Sequence, residues 1–385
     1  MGGAVARLLT RAVGAVGHAT GGLTFSVCYL AAHRSLRMGR VILVILGAGA
    51  TYDSDSLRPA PRRGMVSGFD PLRPPLTQDL FDTKYGAILQ RHPACLRLVP
   101  DLRDAVAAGR PIEPELERLR ARAQTTHPTL AAALIALRGY LAEVVAKSEA
   151  DWADGHKGTT NQLTLVARLE EWREPKDERV RFITFNYDRV LEEAVHHVMP
   201  ELWFGSPQDY IKDARYRIYK LHGSTDWHRR TEIGEIVNGH QQTRVATKAA
   251  DTFTSDPNAI RRGGWIPAIS IPLATKTDSE FECPDEHLDA MKDDLRQVDS
   301  IISIGWRGEE EHFMNLWREH RPNQMAGMLS VASTQETAFA VSAKLTSGVR
   351  MEAQSIIWFG GFSGLVKGEP PHQPALNLWL GLASR

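Results

Sequence analysis

Residues 41–51 read VILVILGAGAT, an apolar run followed directly by a glycine turn. Four of the six apolar residues are β-branched, which is typical of a strand buried on both faces of a parallel sheet. Gly47, Ala48 and Gly49 come next, and Thr51 is available to cap a helix. Because glycines let the backbone approach a pyrophosphate, this stretch predicts the first unit of a dinucleotide-binding fold. The third glycine of the GxGxxG pattern is absent, so an ordinary strand-turn-helix remains the alternative.

Length and composition narrow the class of protein. The 385 residues suffice for one large α/β domain with insertions or for two domains. A formal net charge of zero argues against nucleic-acid binding driven by bulk electrostatics. Cys28, Cys95 and Cys283 lie far apart and form no CxxC pair, which excludes a four-cysteine zinc site within this chain. We expect free buried thiols in a reducing cytoplasm.

The first part of the chain carries arginines but no acidic residue before Asp53. Such a leader is similar to a targeting peptide. A simpler interpretation takes Met38 as the true start, with residues 1–37 as a disordered tail or misassigned start and 38–385 as the domain. The apolar stretch 23–32 is too short to span a bilayer, and no other segment looks transmembrane. We therefore expect a cytoplasmic protein without a membrane partner.

Strands alternate with helices over the second half of the chain. Predicted strands cover 180–185, 216–221, 268–273, 298–304, 327–332 and 355–359. Predicted helices cover 189–198, 285–297, 309–320 and 335–345. This rhythm predicts a Rossmann-like α/β fold with a doubly wound parallel sheet.

Three segments do not follow this alternation of strands and helices. The Pro/Arg-rich stretch 58–75 is a loop, either a lid beside the glycine turn or a surface excursion. Residues from about 86 to 175 form a large helical insertion, in which a leucine stripe from Leu130 to Val144 indicates core packing. The polar region of about 228–262 contains Asn238-Gly239, which is typical of a hairpin turn.

Polar residues or glycines directly follow several predicted strands: Gly47, Gly49, Asn186, Asp188, His222, Gly305 and Ser333. In an open α/β sheet these carboxyl ends converge on one crevice, where ligands bind. Each residue also has a structural interpretation. Asn186 could be a helix N-cap, Asp188 could complement a helix dipole, His222 could be a hydrogen-bonded core histidine and Gly305 could be a plain turn.

Four of these segments resemble the sirtuin family, and in particular the bacterial sirtuin-like domain. They read GAGAT (47–51), FITFNYD (182–188), KLHGSTDW (220–227) and SIISIGW (300–306). The resemblance implies that NAD is bound and that Asn186 and His222 are catalytic, with Asn186 holding the nicotinamide ribose or a water. It also implies cofactor-binding roles for these residues: Gly47, Ala48, Gly49 and Thr51 near the pyrophosphate, Asp188 in the loop, and Gly305, Trp306 and Ser333 near the adenosine half.

Departures from the family pattern reduce the range of activities that the resemblance implies. Phe185 stands where sirtuins have Gln, Trp306 replaces the usual Ser or Thr, and no zinc-ribbon cysteines occur in 228–262. The chain therefore looks closer to the zinc-free sirtuin-like proteins of bacterial anti-phage defence, many of which hydrolyse NAD. This implies a regulated NAD glycohydrolase with a homo-oligomeric or defence-system partner. A non-catalytic sensor that binds NAD or ADP-ribose is the alternative function. An NAD-dependent deacylase or ADP-ribosyltransferase is a third, less favoured hypothesis.

NAD cleavage is chemically reasonable for an Asn–His pair. Breaking the nicotinamide–ribose bond passes through an oxocarbenium-like species and releases a neutral pyridine, so no strong general acid is required. An Asn amide can orient a ribose hydroxyl or a water, and a His can accept the proton. This chemistry needs no metal. Glu309-Glu310-Glu311-His312 is accordingly interpreted as an acidic helix start and not as a set of metal ligands.

Overall fold

The computed structural model describes residues 40–55, 57–60, 73–125, 127, 129–156, 158–238, 241–273, 281–353, 355–367 and 375–383. The predicted tail, residues 1–37, and most of the Pro/Arg loop lie outside the described residues. The strands are β1 (Val41–Leu46), β2 (Arg179–Thr184), β3 (Tyr216–Lys220), β4 (Gly223–Asn238), β5 (Gln241–Thr254), β6 (Trp265–Ile269), β7 (Ser300–Ile304), β8 (Gln324–Met325), β9 (Gly327–Val331), β10 (Arg350–Met351) and β11 (Ile356–Trp358).

The α-helices are α1 (Ala48–Tyr52), α2 (Gly86–Arg91), α3 (Val99–Ala107), α4 (Ile112–Thr125), α5 (Thr129–His156), α6 (Asn161–Arg173), α7 (Val190–Val198), α8 (Asp209–Lys212), α9 (Pro257–Arg261), α10 (Asp285–Leu295), α11 (Glu311–His320), α12 (Gln335–Thr346), α13 (Gly361–Lys367) and α14 (Ala375–Ala383). Short 3-10 turns lie at Thr77–Asp79, Thr83–Tyr85, Pro93–Arg97 and Glu174–Lys176.

A six-stranded parallel sheet forms the centre of the fold, in the order β11-β9-β7-β1-β2-β3. All six residues of β1 are buried, because helices cover both faces of the strand. The chain runs outward from β1 to β3 on one side and from β7 to β11 on the other. The strand order therefore reverses between β1 and β7, and ligands bind at such a switch point in open α/β sheets. The predicted Rossmann-like fold with its helical insertion is confirmed.

The helical insertion has its own apolar cluster. Buried residues of α2, α3, α4 and α5 pack together, and the predicted stripe is part of this cluster: Leu130, Leu134, Leu137, Leu141 and Val144. By contrast, the apolar residues of α6 pack on the parallel sheet. The insertion predicted as one helical block thus divides between two clusters. Residues Thr129–Asp154 of α5 are long and apolar enough to cross a membrane by length and composition, although the stripe faces the second cluster.

A second sheet occupies the predicted hairpin region. β4 pairs antiparallel with β5 from Asn238↔Gln241 onward, which confirms the predicted hairpin, and β6 pairs with the other edge of β4. The prediction that a strand at 268–273 belongs to the parallel sheet was wrong. The strand lies earlier, at β6, and joins the antiparallel sheet, because β4 begins at Gly223, soon after β3 ends at Lys220, and β6 pairs with β4.

Candidate functional site

The glycine turn after β1 lies directly against the end of β7. The amide of Gly47 donates to the carbonyl of Ile304 at 3.1 Å, and the amide of Gly49 donates to that of Gly305 at 3.1 Å. A Cβ on Gly47 would lie 2.6 Å from the Gly305 oxygen, which no side chain tolerates. Gly305 itself has φ +61°, and its own Cβ would meet the Ala50 nitrogen at 2.3 Å. The glycines therefore let two strand ends meet, and Ala48 stays exposed above them.

The Asn186 side chain joins the end of β2 to this turn. Its Nδ2 donates to the Gly47 carbonyl at 3.0 Å and to the Thr51 hydroxyl at 2.8 Å. The side chain is half-buried and does not cap α7, which begins at Val190. Asn186 thus lies at the switch point between β1 and β7, as its place in the motif predicts.

Thr51 and Asp188 continue the same chain of hydrogen bonds. The Thr51 hydroxyl donates to Asp188 Oδ2 at 2.9 Å, and Asp188 Oδ1 accepts the Val190 amide at 3.2 Å. Asp188 therefore does support the start of α7, which was its structural interpretation. The expectation that Thr51 caps a helix was wrong. It lies inside α1, whose N-cap is Gly47, because the helix begins one turn earlier than expected.

A buried ion pair fixes the Asp188 backbone, and the sequence did not reveal it. Lys220 is fully buried at the end of β3, where its Nζ lies 2.8 Å from Glu192 Oε1 and also donates to the Asp188 carbonyl. Tyr210 donates a further hydrogen bond to the same Glu192 oxygen at 3.0 Å. The only sequence signal was a lysine inside an otherwise buried strand, two residues before His222.

His222 lies between β3 and β4, directly before β4, with only 5% of its surface exposed. Its ring centroid is 5.1 Å from that of Phe185 and 6.4 Å from that of Tyr187. The Ser270 amide donates to the His222 carbonyl at 2.9 Å. The neighbouring Gly223, at φ +85°, leaves room for the Ala268 carbonyl. His222 is therefore held rigidly from both sheets.

His312 is a second imidazole at this position, and the sequence analysis missed it. Its ring stacks nearly parallel on His222, with centroids 5.6 Å apart, and lies 4.5 Å from the Phe281 ring. Glu311 does lie in the first turn of α11, as the acidic-start interpretation predicts. His312 instead points inward, and no pattern within a single turn of helix could show that.

Two of the residues that depart from the sirtuin pattern, Phe185 and Trp306, contact each other. Phe185 and Trp306 stack with their ring centroids 5.5 Å apart and an interplanar angle of 8°. The indole Nε1 of Trp306 donates to Glu310 Oε2 at 2.5 Å, and the residue is 2% exposed. The Trp306 ring thus packs beneath the site and not along its surface. Ser333 follows β9 as predicted and is exposed, with no contact to this group among the residues described.

The electrostatics of the site centre on Glu149, which reaches it from α5. Glu149 Oε1 accepts the Arg189 amide hydrogen at 3.1 Å. Burial, followed by the nearby Asp188, Glu193 and Glu192 carboxylates, holds the pKa of Glu149 well above its usual range, although Lys220 opposes the shift. Burial also raises the pKa of Tyr187, whose hydroxyl donates to the Ser270 carbonyl at 2.7 Å.

Across the part of the chain that the structure describes, no group of three or more His, Cys, Asp or Glu side chains is arranged to hold a metal ion. Cys95 and Cys283 are buried free thiols, and burial raises the pKa of both, while Cys28 lies outside the described residues.

Residues 180–344 match the family model described as a SIR2-like domain. The match includes Asn186, His222 and Gly305. It covers less than half of the chain, and the glycine turn and the helical insertion lie before it. The resemblance to sirtuins is thereby confirmed for this segment, which is similar to a SIR2-like domain. No curated protein matches the chain significantly.

Solved structures of sirtuins align with most of the chain at low similarity. Two are mutants of a Sir2 homologue in complex with ADP-ribose. The serine-to-alanine mutant has 11% identity and a TM-score of 0.35, and the histidine-to-asparagine mutant has 11% and 0.34; both alignments cover 90% of this chain and 93% of the other. A third, on the structural basis of sirtuin substrate affinity, has 13% identity and a TM-score of 0.31, covering 86% and 95%.

Proposed function

We propose that the protein is an NAD glycohydrolase that converts NAD and water to nicotinamide, ADP-ribose and a proton. One observation carries the proposal. The Asn186 amide is held over the glycine turn at the switch point of the sheet, and His222 follows on the next strand along the chain. Both residues lie within the segment that matches the SIR2-like domain.

The proposed reaction divides between these side chains. The bond from C1′ of the ribose to the nicotinamide nitrogen breaks, and nicotinamide leaves as a neutral molecule with the bonding electrons. Asn186 orients the ribose hydroxyl or the attacking water, whose oxygen bonds to C1′. His222 accepts the proton. In this proposal the turn faces the pyrophosphate at Ala48, which is exposed, and at the half-buried Gly49.

A non-catalytic sensor of NAD or ADP-ribose is the second candidate, and a specific contact favours it. Phe185 occupies the position of the sirtuin Gln, and its ring is buried between Trp306 and His222. A site without that polar group can still bind the nucleotide and yet fail to position a water. A deacylase or ADP-ribosyltransferase is a weaker candidate, because the β4–β5 hairpin occupies the region where sirtuins carry their zinc ribbon.

We further propose a biological setting for the hydrolase, resting on the resemblance to zinc-free bacterial sirtuin-like proteins. The protein is a regulated, cytoplasmic effector of anti-phage defence. Its activity is controlled by self-association or by a partner from the same system, since unregulated NAD cleavage would harm the host.

Nicotinamide release from NAD by the purified protein tests the proposal. The assay is run alone, with an acyl-lysine peptide, and with the products of neighbouring genes. Release without a peptide supports the hydrolase. Binding of ADP-ribose without release under any condition replaces it with the sensor, and release only with the peptide replaces it with the deacylase.

A further inference from the structure

The Glu149 side chain links the helical insertion to the Asn186 site by a hydrogen bond, beside Tyr187, which packs against the insertion cluster. Glu149 lies near the carboxyl end of α5, a helix whose apolar stripe belongs to the separate insertion cluster. Its Oε1 accepts the backbone amide hydrogen of Arg189 at 3.1 Å. Arg189 directly follows the segment that holds Asn186 and Asp188. The hydrogen bond therefore ties the insertion to the loop that positions Asn186.

The charges around this contact are unbalanced. Carboxylates face Glu149 from the loop and from α7, namely Asp188, Glu192 and Glu193, while the facing cations are Lys220 from β3 and Arg189. Both cations are already engaged. Lys220 pairs with Glu192 at 2.8 Å, and Arg189 lies 3.4 Å from Asp226 of β4. A further negative charge at Glu149 would have no dedicated cation.

We propose that Glu149 is a positioning residue of this site and acts as a neutral carboxyl group, so that α5 holds the Asn186–Asp188 loop in place. The proposal rests on the proposed NAD hydrolase. A neutral carboxyl group still accepts the Arg189 amide hydrogen through its carbonyl oxygen. The raised pKa of Glu149, caused by burial and then by the neighbouring carboxylates, agrees with this form.

Ionisation of Glu149 would act on Asn186 through Asp188. Asp188 accepts the Thr51 hydroxyl, and Thr51 also accepts a hydrogen from the Asn186 amide. Repulsion between two carboxylates would push Asp188 away and shift this chain of hydrogen bonds. A small displacement of a positioning group costs up to about 10²-fold in rate.

Glu149→Gln and Glu149→Ala test the proposal. Gln keeps the neutral shape and the acceptor oxygen, whereas Ala removes the contact. The matched control is Glu143→Gln on the same helix. Although partial burial opposes it, hydrogen bonds from Arg91 and His92 hold the pKa of Glu143 below its usual value, so this residue is an ionised carboxylate away from the site.

We expect Glu149→Gln and Glu143→Gln to keep kcat for nicotinamide release at pH 7 within about threefold of wild type, and Glu149→Ala to lower it by at least about tenfold with a smaller change in KM. The activity of the wild type falls as pH rises through the folded-state pKa of Glu149, and that of Glu149→Gln does not. Loss of activity in Glu149→Gln equal to that in Glu149→Ala would overturn the proposal, because an ionised carboxylate would then be needed.

Thermal melting separates this proposal from the hydrolase itself. Below about pH 4.3, the usual pKa of Glu, the Glu149 carboxyl group is neutral in both the folded and the unfolded wild type, so wild type and Glu149→Gln should have the same melting temperature. Above that pH Glu149 ionises only in the unfolded chain. The free energy of unfolding of the wild type therefore falls with rising pH until the folded-state pKa of Glu149 is reached. If no protein releases nicotinamide, the hydrolase fails, yet Glu149→Gln should still melt roughly 1–4 °C above wild type at pH 8, and the two melting temperatures should converge below about pH 4. An equal or lower melting temperature at pH 8 would refute the neutral carboxyl group.

Discussion

Asn186 connects the end of β2 to the glycine turn, two segments that are distant in sequence. Its amide donates to Gly47 and Thr51 of the glycine turn, while its own backbone amide donates to the Thr184 hydroxyl at 3.1 Å. A half-buried amide with this many partners has a single orientation. Such preorganisation is what a group needs if it is to favour a transition state over a bound substrate.

Replacing the two proposed catalytic side chains should abolish most NAD cleavage. His222→Ala should cost about 10²–10⁴-fold in rate, the usual effect of losing a general base. Asn186→Ala should cost on the order of 1–3 kcal/mol of transition-state stabilisation. Nicotinamide release per folded molecule is measured together with thermal melting, because removal of the packed His222 ring also lowers stability.

His197→Ala and Asn315→Ala are the matched controls, since both residues are exposed on helices away from the site. They should retain full activity. A purely structural role predicts a different pattern for the site variants, in which the melting temperature falls and turnover per folded molecule is unchanged.

The β1–α1 turn and the end of β7 form one element of the site. Their backbones approach so closely that Gly47, Gly49 and Gly305 must all lack side chains. Hydrogen bonds from the Gly47 and Gly49 amides to the Ile304 and Gly305 carbonyls hold the two elements together at the switch point of the sheet. The same glycines that the motif assigns to pyrophosphate binding are thus required by strand packing alone.

Gly305→Ala should therefore damage both stability and the site. The left-handed backbone costs about 1–2 kcal/mol for a residue with a Cβ, and the new methyl group would press on the Ala50 nitrogen. We expect a loss of at least about 2 kcal/mol in the free energy of unfolding, together with weaker binding of NAD or ADP-ribose. Denaturant unfolding and calorimetric titration measure the two effects.

Gly86→Ala is the control for this substitution. Gly86 has φ −56° at the start of α2, and nothing lies within 4 Å of its missing Cβ. Alanine should leave binding unchanged and stabilise the protein by about 0.4–1 kcal/mol. Similar losses from both variants would show that the close approach at Gly305 is unimportant.

The whole domain combines two apolar clusters with a second, antiparallel sheet. The parallel sheet and its helices form the first cluster, and the insertion helices with Ile269 and Ile271 form the second. Arg138 of α5 bonds Glu282 at 2.6 Å and the Ile269 carbonyl at 2.7 Å, which joins the insertion to the segment beside β6. His222 lies where these units meet, so its environment depends on all of them.

The purified protein should contain no stoichiometric structural zinc. The three cysteines are too scattered for a four-cysteine site, and the region of the sirtuin zinc ribbon forms the β4–β5 hairpin. Elemental analysis after dialysis against a chelator is the measurement. One tightly held zinc per chain would contradict the zinc-free placement and return the deacylase to consideration.

A chain that begins at Met38 should melt within about 1 °C of the full-length protein. The first described residues already have partners in the domain: the Arg40 amide donates to Glu178, and the Val41 amide donates to Asp299 Oδ2 at 2.9 Å. Scanning calorimetry of both chains compares them. A large loss of stability on truncation would show that residues 1–37 pack on the domain.

Local patterns were sufficient for much of the fold. The strands β1, β2, β3, β7, β9 and β11 and the helices α7, α10, α11 and α12 lie within a few residues of their predicted bounds, because burial imposes a period on neighbouring residues. The motif order also placed Gly47, Asn186 and Gly305 at one edge of the sheet. The strand at 268–273 was assigned to the wrong sheet, since a short apolar run is compatible with a strand of either a parallel or an antiparallel sheet.

The amino-acid order alone thus specifies the alternating strands and helices, the glycine turn and the Asn–His pair, all of which are readable over short windows. Only the tertiary structure decides which side chains meet: Phe185 with Trp306, His222 with His312, and Glu149 with the Arg189 amide. The physical reason is that each contact joins residues far apart in the chain or on separate elements. Their approach depends on how helices and sheets pack and not on any local period.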